Sequence, residues 1–187
     1  MRSRFPTTLH DLLTDPTLTV YTDVILAAKV VSLAREFDIP ELIPLALYSI
    51  VSYNFSDKVL PTYKTAVVTQ TLPDEDVTRW LLGQQRLQEV AVEYIFQLRE
   101  YGIQKISCSR KVGQYQRTCA AGNIHAVWTK PRKAMADFMR DPLGTLAMGV
   151  KDYDQSTMCG ECNAGGQAKH VELVEAMFNR LKEIFLL

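Results

Sequence analysis

The segment best suited to chemistry in this 187-residue chain is Cys159-Gly160-Glu161-Cys162. Two cysteines separated by two residues in a turn can set both sulfurs on one metal ion. The glycine between them lets backbone amides approach those sulfurs. Cys108 and Cys119 lie upstream with ten residues between them, a less specific spacing. Together the four supply the soft, tetrahedral thiolate set that suits structural zinc, with His125 or His170 as a substitute for any cysteine that stands apart.

Other chemistries fit these residues less well. A redox-active CxxC wants a preceding strand and a βαβ setting, and no such pattern is evident. His170-Val171-Glu172 spells the H-x-E of zinc deaminases, but there the motif precedes a P-C-x-x-C. Here it follows a cysteine pair that lacks the proline, so His170 and Glu172 are expected to face solvent on the last helix. Asp74, Glu75 and Asp76 occupy a first helical turn, where carboxylates favour the positive end of the helix dipole, and capping accounts for them without acid–base work. No G-x-S-x-G, P-loop, H-E-x-x-H or dinucleotide fingerprint occurs, so no enzyme activity is expected.

Composition narrows the setting. Lysine plus arginine and aspartate plus glutamate balance at 21 each, which argues against a globally polyanion-binding protein. The charge is nevertheless uneven. Between Tyr101 and Ala136 there is no acidic residue, whereas Lys105, Arg110, Lys111, Arg117, Lys130, Arg132 and Lys133 are basic. Such a stretch suits the net negative charge of a four-cysteine zinc centre, and it is also the segment that would contact phosphates in a nucleic-acid-binding rival. No apolar run approaches the roughly 20 residues of a membrane span, and no apolar stretch follows Met1-Arg2-Ser3-Arg4-Phe5-Pro6 as a secretory signal. A reducing compartment, cytoplasmic or nuclear, is expected, where cysteines serve as thiols or metal ligands and not as disulfides.

The elements that must carry these residues read as helices. Thr7 or Thr8 caps a short helix through Leu12 and Leu13. Thr22 or Asp23 opens a stronger one in which Ile25, Leu26, Val30, Leu33, Ala34 and Phe37 recur at spacings of three and four, predicting a buried face. Asp38-Ile39-Pro40 closes it. A second helix starts at about Pro44, because proline is tolerated only in a first turn, and the two form an antiparallel hairpin over Thr22 to Tyr53 with Leu26, Leu33, Phe37 and Leu47 inside. Asn54 to Thr71 fits a strand or a short helix. A helix starts after Pro73, with Gly83 a candidate break, and Leu87, Val90, Ala91, Tyr94, Ile95 and Leu98 mark its amphipathic continuation to Gly102. Trp80 and Trp128 read as core or interface anchors. Asp141-Pro142-Leu143 restarts the chain, a polar, glycine-containing loop carries the CxxC, and Val171, Val174, Phe178, Leu181 and Phe185 stripe a final helix.

The order of these motifs resembles the segment that follows the BTB/POZ core in many proteins of mushroom-forming fungi. Phe5-Pro6-Thr7-Thr8-Leu9, the run from Leu33 to Pro44, and Ala46-Leu47-Tyr48 carry the first part of the resemblance. Asp141-Pro142-Leu143, Met158-Cys159-Gly160-Glu161-Cys162 and Leu181-Lys182-Glu183-Ile184-Phe185 carry the second, so that it covers nearly the whole chain. The resemblance implies a helical region similar to the BACK helices of BTB adaptors, with no catalytic residue to carry over. The sequence does not include the BTB core, so the dimerisation and ubiquitin-ligase scaffold binding that belong to that core are not carried over.

The expectation is an all-α domain, residues 1–187, with a helical N-terminal half (1–102) and a C-terminal half (103–187) organised by cysteine. Its expected function is a non-enzymatic protein-interaction module with structural zinc on Cys108, Cys119, Cys159 and Cys162. A zinc-stabilised nucleic-acid-binding or transcription-related module is the alternative.

Overall fold

A computed structural model describes residues 24–56, 62–105, 138–139, 141–151 and 160–185. Its elements are α1 (Val24–Glu36), a 3-10 turn (Pro40–Leu42), α2 (Ile43–Ser56), α3 (Thr62–Thr71), α4 (Asp74–Lys105), α5 (Pro142–Lys151) and α6 (Gly160–Ile184), with no strand among the described residues. The described residues are all-α, and within the ambiguous segment Asn54 to Thr71 residues 54–56 and 62–71 are helical. Two compact units form, Met1–Leu87 with Phe178–Leu187, and Gln88–Met177.

In the first unit, α1 packs against α2 and α3. Its end is set by local chemistry. The Ile39 N–H donates to the Ala34 carbonyl at 2.8 Å and the Asp38 N–H to Arg35 at 3.4 Å, with Asp38 in the left-handed region at φ 52°. This is the Schellman arrangement, with aspartate where glycine is commoner. The 3-10 turn follows on Pro40, and Pro44 is the second residue of α2, where a missing N–H has no partner to lose. From Ile43 to Ser52 every residue of α2 is buried, as befits a helix apolar all round. Leu47 lies in this core as expected, and Trp80 of α4 is also buried.

The face that α1 buries differs from the expected one. Val24, Ala27, Ala28, Val31 and Ala34 are buried, whereas Leu33 is 50% exposed and Phe37 65% exposed, and Leu26 is only half-buried. Helix α1 is apolar on two sides, and periodicity alone does not choose between them. The small side chains let its backbone approach the buried Ile43 to Ser52 stretch of α2, and the bulkier stripe is left outside.

Gly83 does not break α4, and Gly102 does not end it; the helix runs unbroken to Lys105. At Gly83 the first unit brings the end of α6 against α4. A β-carbon there would overlap Cδ1 of Phe185, whose ring is wholly buried. The Arg86 guanidinium donates to the Glu183 carbonyl at 3.3 Å beside it.

The core of the second unit draws on Val90, Ala91 and Tyr94 of α4, on Phe138, and on Leu143 and Leu146 of α5. Leu173, Val174 and Met177 of α6 complete it. Helix α5 begins as expected at Asp141-Pro142-Leu143. The Asp141 carboxylate accepts the Gly144 N–H at 2.9 Å, and Pro142 takes the first helical position. The polar segment after Cys159 is not a loop. Gly160, Gly165 and Gly166 lie within α6. Each glycine costs a helix about 1 kcal/mol. Leu173, Val174 and Met177 are each worth roughly 1.5–3 kcal/mol on burial, and a helix anchored by them propagates through its weak start.

Replacing Gly83 by alanine tests the α4–α6 contact, since at an ordinary helix site the change stabilises by about 1 kcal/mol. Here the enclosed Phe185 ring must move, so Gly83→Ala is expected to lower the urea unfolding free energy by about 1–3 kcal/mol. A gain in stability would show that Phe185 does not sit on this glycine.

Candidate functional site

Of the four expected cysteine ligands, the described residues include Cys162 alone. Cys108, Cys119 and Cys159 lie outside them, as does His125, and Cys162 is described only as the third residue of α6. The basic residues from Arg110 to Lys133 also lie outside them. Among the described residues no three histidine, cysteine, aspartate or glutamate side chains converge as a metal ion requires. None of the helices described is long and apolar enough to cross a membrane.

Among the described residues a polar cluster lies in the first unit, on carboxylates for which the sequence suggested only capping. Pro73 occupies the N-cap position of α4, its carbonyl accepting the Val77 N–H at 3.0 Å. A carboxylate three residues into a helix ordinarily reaches back to the N-cap N–H, but proline has none. The Asp76 carboxylate turns instead to two arginines. Arg35, in the last turn of α1, donates from Nη2 to Oδ1 at 2.8 Å and from Nε to Oδ2 at 3.1 Å. Arg79 donates to Oδ1 at 3.0 Å and also pairs with Glu75 one turn back. Asp76 is fully buried. Burial alone would raise its pKa, but the hydrogen bonds and charges of Arg35 and Arg79 outweigh it and hold the carboxyl below the usual 3.8. Arg35 is in turn held further above its ordinary value, chiefly by its hydrogen bond to Asp76.

Three residues from Arg35, the Ser32 hydroxyl donates to the Thr71 carbonyl at 2.7 Å, at the end of α3. The polar edge of α1 thus fastens the corner between α3 and α4. With both oxygens engaged by guanidinium groups and its proton held weakly, Asp76 is a poor general base. Its chemistry is that of a clamp. The Asp76/Arg79 spacing was visible in the sequence as a helical pair; the Arg35 partner, 41 residues away, was not.

In the second unit His170 is half-buried and not fully solvent-facing. Its Nδ1 lies 3.0 Å from the Gly166 carbonyl. Burial lowers its pKa below 6.5, against the opposing effect of that hydrogen bond. Glu172 is exposed and pairs with Lys169 at 2.6 Å.

The remaining feature is apolar. Leu33, Phe37 and Ile39 are exposed in the first unit together with Leu81 and Leu82, and Val92 and Phe96 in the second. Of these, Leu33 and Phe37 lie one helical turn apart at the end of α1, and neighbouring exposed apolar side chains are a mark of binding surfaces. Comparison with protein-family models, with curated proteins and with solved structures returned no match.

Two titrations follow from these environments. Arg35→Met should cost about 2–3 kcal/mol at pH 7, less than breaking a fully enclosed pair, because water reaches Arg35 and Arg79 remains. The depressed Asp76 contributes stability above its unfolded pKa and loses it as pH falls through 3.8 toward the folded value, so the cost should shrink at pH 3. A cost unchanged at pH 3 would show that Arg35 acts through packing. For His170 the unfolded chain takes the proton first, so stability should decline as pH drops through 6.5, and His170→Gln should remove that slope. Identical urea midpoints for both proteins from pH 7 to pH 5 would count against it.

Proposed function

We propose that this chain is a non-enzymatic protein-interaction module of the kind that follows a BTB/POZ core. The observation that carries the reading is the exposed apolar side of α1: Leu33, with Phe37 just past the helix end, stands outward on a helix whose other edges are clamped by Arg35, Ser32 and a small-residue contact with α2. A helix held that firmly presents its outer side chains with little conformational entropy to lose on binding. The ordered succession of motifs from Phe5 to Phe185 supports placing the chain beside BTB-associated helical regions.

The same proposal gives the C-terminal half a structural zinc on Cys108, Cys119, Cys159 and Cys162, supported by the residue types and by the two-residue spacing of the last pair. Thiolates must lose their protons to bind, so affinity should fall with falling pH.

Both parts are open to direct measurement. Proteins retained from a fungal cell extract by the native chain should be lost by the double variant Leu33→Glu/Phe37→Glu, whose circular dichroism should match the native chain. Retention of the same proteins by both chains would set the reading aside, as would a sub-micromolar complex with DNA or RNA that weakens steeply with salt. Elemental analysis should find one zinc per chain, absent from Cys162→Ser. A metal-free native chain purified without chelator would remove the zinc centre.

A further inference from the structure

The outward side of α1 has a regular pattern. Leu26, Val30 and Leu33, then Phe37 just past the helix end with its N–H still donating to the Leu33 carbonyl at 2.9 Å, follow one another at steps of four, three and four, the a and d spacing of a two-helix seam. At about 100° per residue these four fall within about 60° of one another, roughly a third of a turn from the buried Ala27/Ala28/Val31 side. Leu26 and Val30 are half-buried and Leu33 and Phe37 exposed. One edge of this seam is occupied, since Ala27 and Ala34 are buried in the unit. The other edge carries Lys29 and Glu36, seven residues apart, both exposed and without an ion-pair partner among the described residues.

We infer that α1 pairs antiparallel with α1 of a second copy of this chain. The inference rests on the interaction-module reading and names one partner for it. A two-fold pairing is self-complementary, with each position meeting its symmetry mate. Reversing the second helix puts Val30 opposite Leu33 and Leu26 opposite Phe37. Along the open edge Lys29 of one copy then faces Glu36 of the other, and the pair occurs twice. A parallel arrangement would bring Lys29 toward the edge that Ala34 already buries, leaving both charges unanswered. Opposite charges at matching places on the only open edge favour a second copy over an unrelated helix. A seam of three helical turns is small, so the dimer belongs to the weak, transient class, with a dissociation constant on the order of 10 µM to 1 mM.

Sedimentation equilibrium of the full chain up to about 1 mM tests this. The native chain should self-associate, and Leu33→Glu should abolish association while remaining folded, because that side chain is half exposed in the single chain. Lys29→Glu and Glu36→Lys should each weaken the dimer roughly tenfold by placing like charges together twice. The double variant Lys29→Glu/Glu36→Lys should restore it. A native chain that stays monomeric at 1 mM overturns the pairing, as does a dimer indifferent to Leu33→Glu or to the charge reversals. If the chain is monomeric yet Leu33→Glu/Phe37→Glu still loses proteins from the extract, the face serves a different partner and the interaction-module reading stands. If neither response occurs, both fail.

Discussion

The first unit depends on how a buried carboxylate is neutralised. Asp76 sits one turn into α4 behind a proline that offers no N–H, and it is enclosed completely. An unpaired charge there would cost several kcal/mol. The two guanidinium groups answer it, and Arg35 does so from α1. That requirement fixes the rotation of α1 about its axis. With Arg35 turned toward Asp76 and Ser32 toward Thr71, the Ala27, Ala28, Val31 and Ala34 side must meet the core. Leu33 and Phe37 are turned out as a consequence. The electrostatic clamp and the exposed apolar stripe are thus two results of one geometry.

Small residues do comparable work elsewhere. Gly83 gives up helix propensity so that Phe185 can lie against the backbone of α4, and Gly144 leaves room for the Asp141 carboxylate over the first turn of α5. In α6 the glycines weaken the opening turns, and the buried Leu173, Val174 and Met177 supply the helix with its reason to exist. These positions trade local preference for a packing contact, and the trade is visible only when both partners are in place.

Interaction through an outward helical face accords with the balanced charge of the chain, which supplies no overall field to steer it toward polyanions. It also accords with α1 being held on its other sides.

Much of the helical architecture was legible in the residues themselves, because its signals are local. Pro44 marks the start of α2, Asp38-Ile39-Pro40 closes α1, and Asp141-Pro142 opens α5, each through a backbone group satisfied or missing within a few residues. Trp80 and Leu47 fall in the core as their size and setting suggested. The choice between the two apolar sides of α1 was beyond the sequence, since both repeat at helical spacing and differ only in bulk. The clamp was beyond it too. Asp76 looked like one more first-turn carboxylate until an arginine 41 residues earlier was brought to it. Short-range hydrogen bonding and steric restriction are written along the chain; which stripe is covered, and which charge is paired, depend on neighbours that only folding supplies.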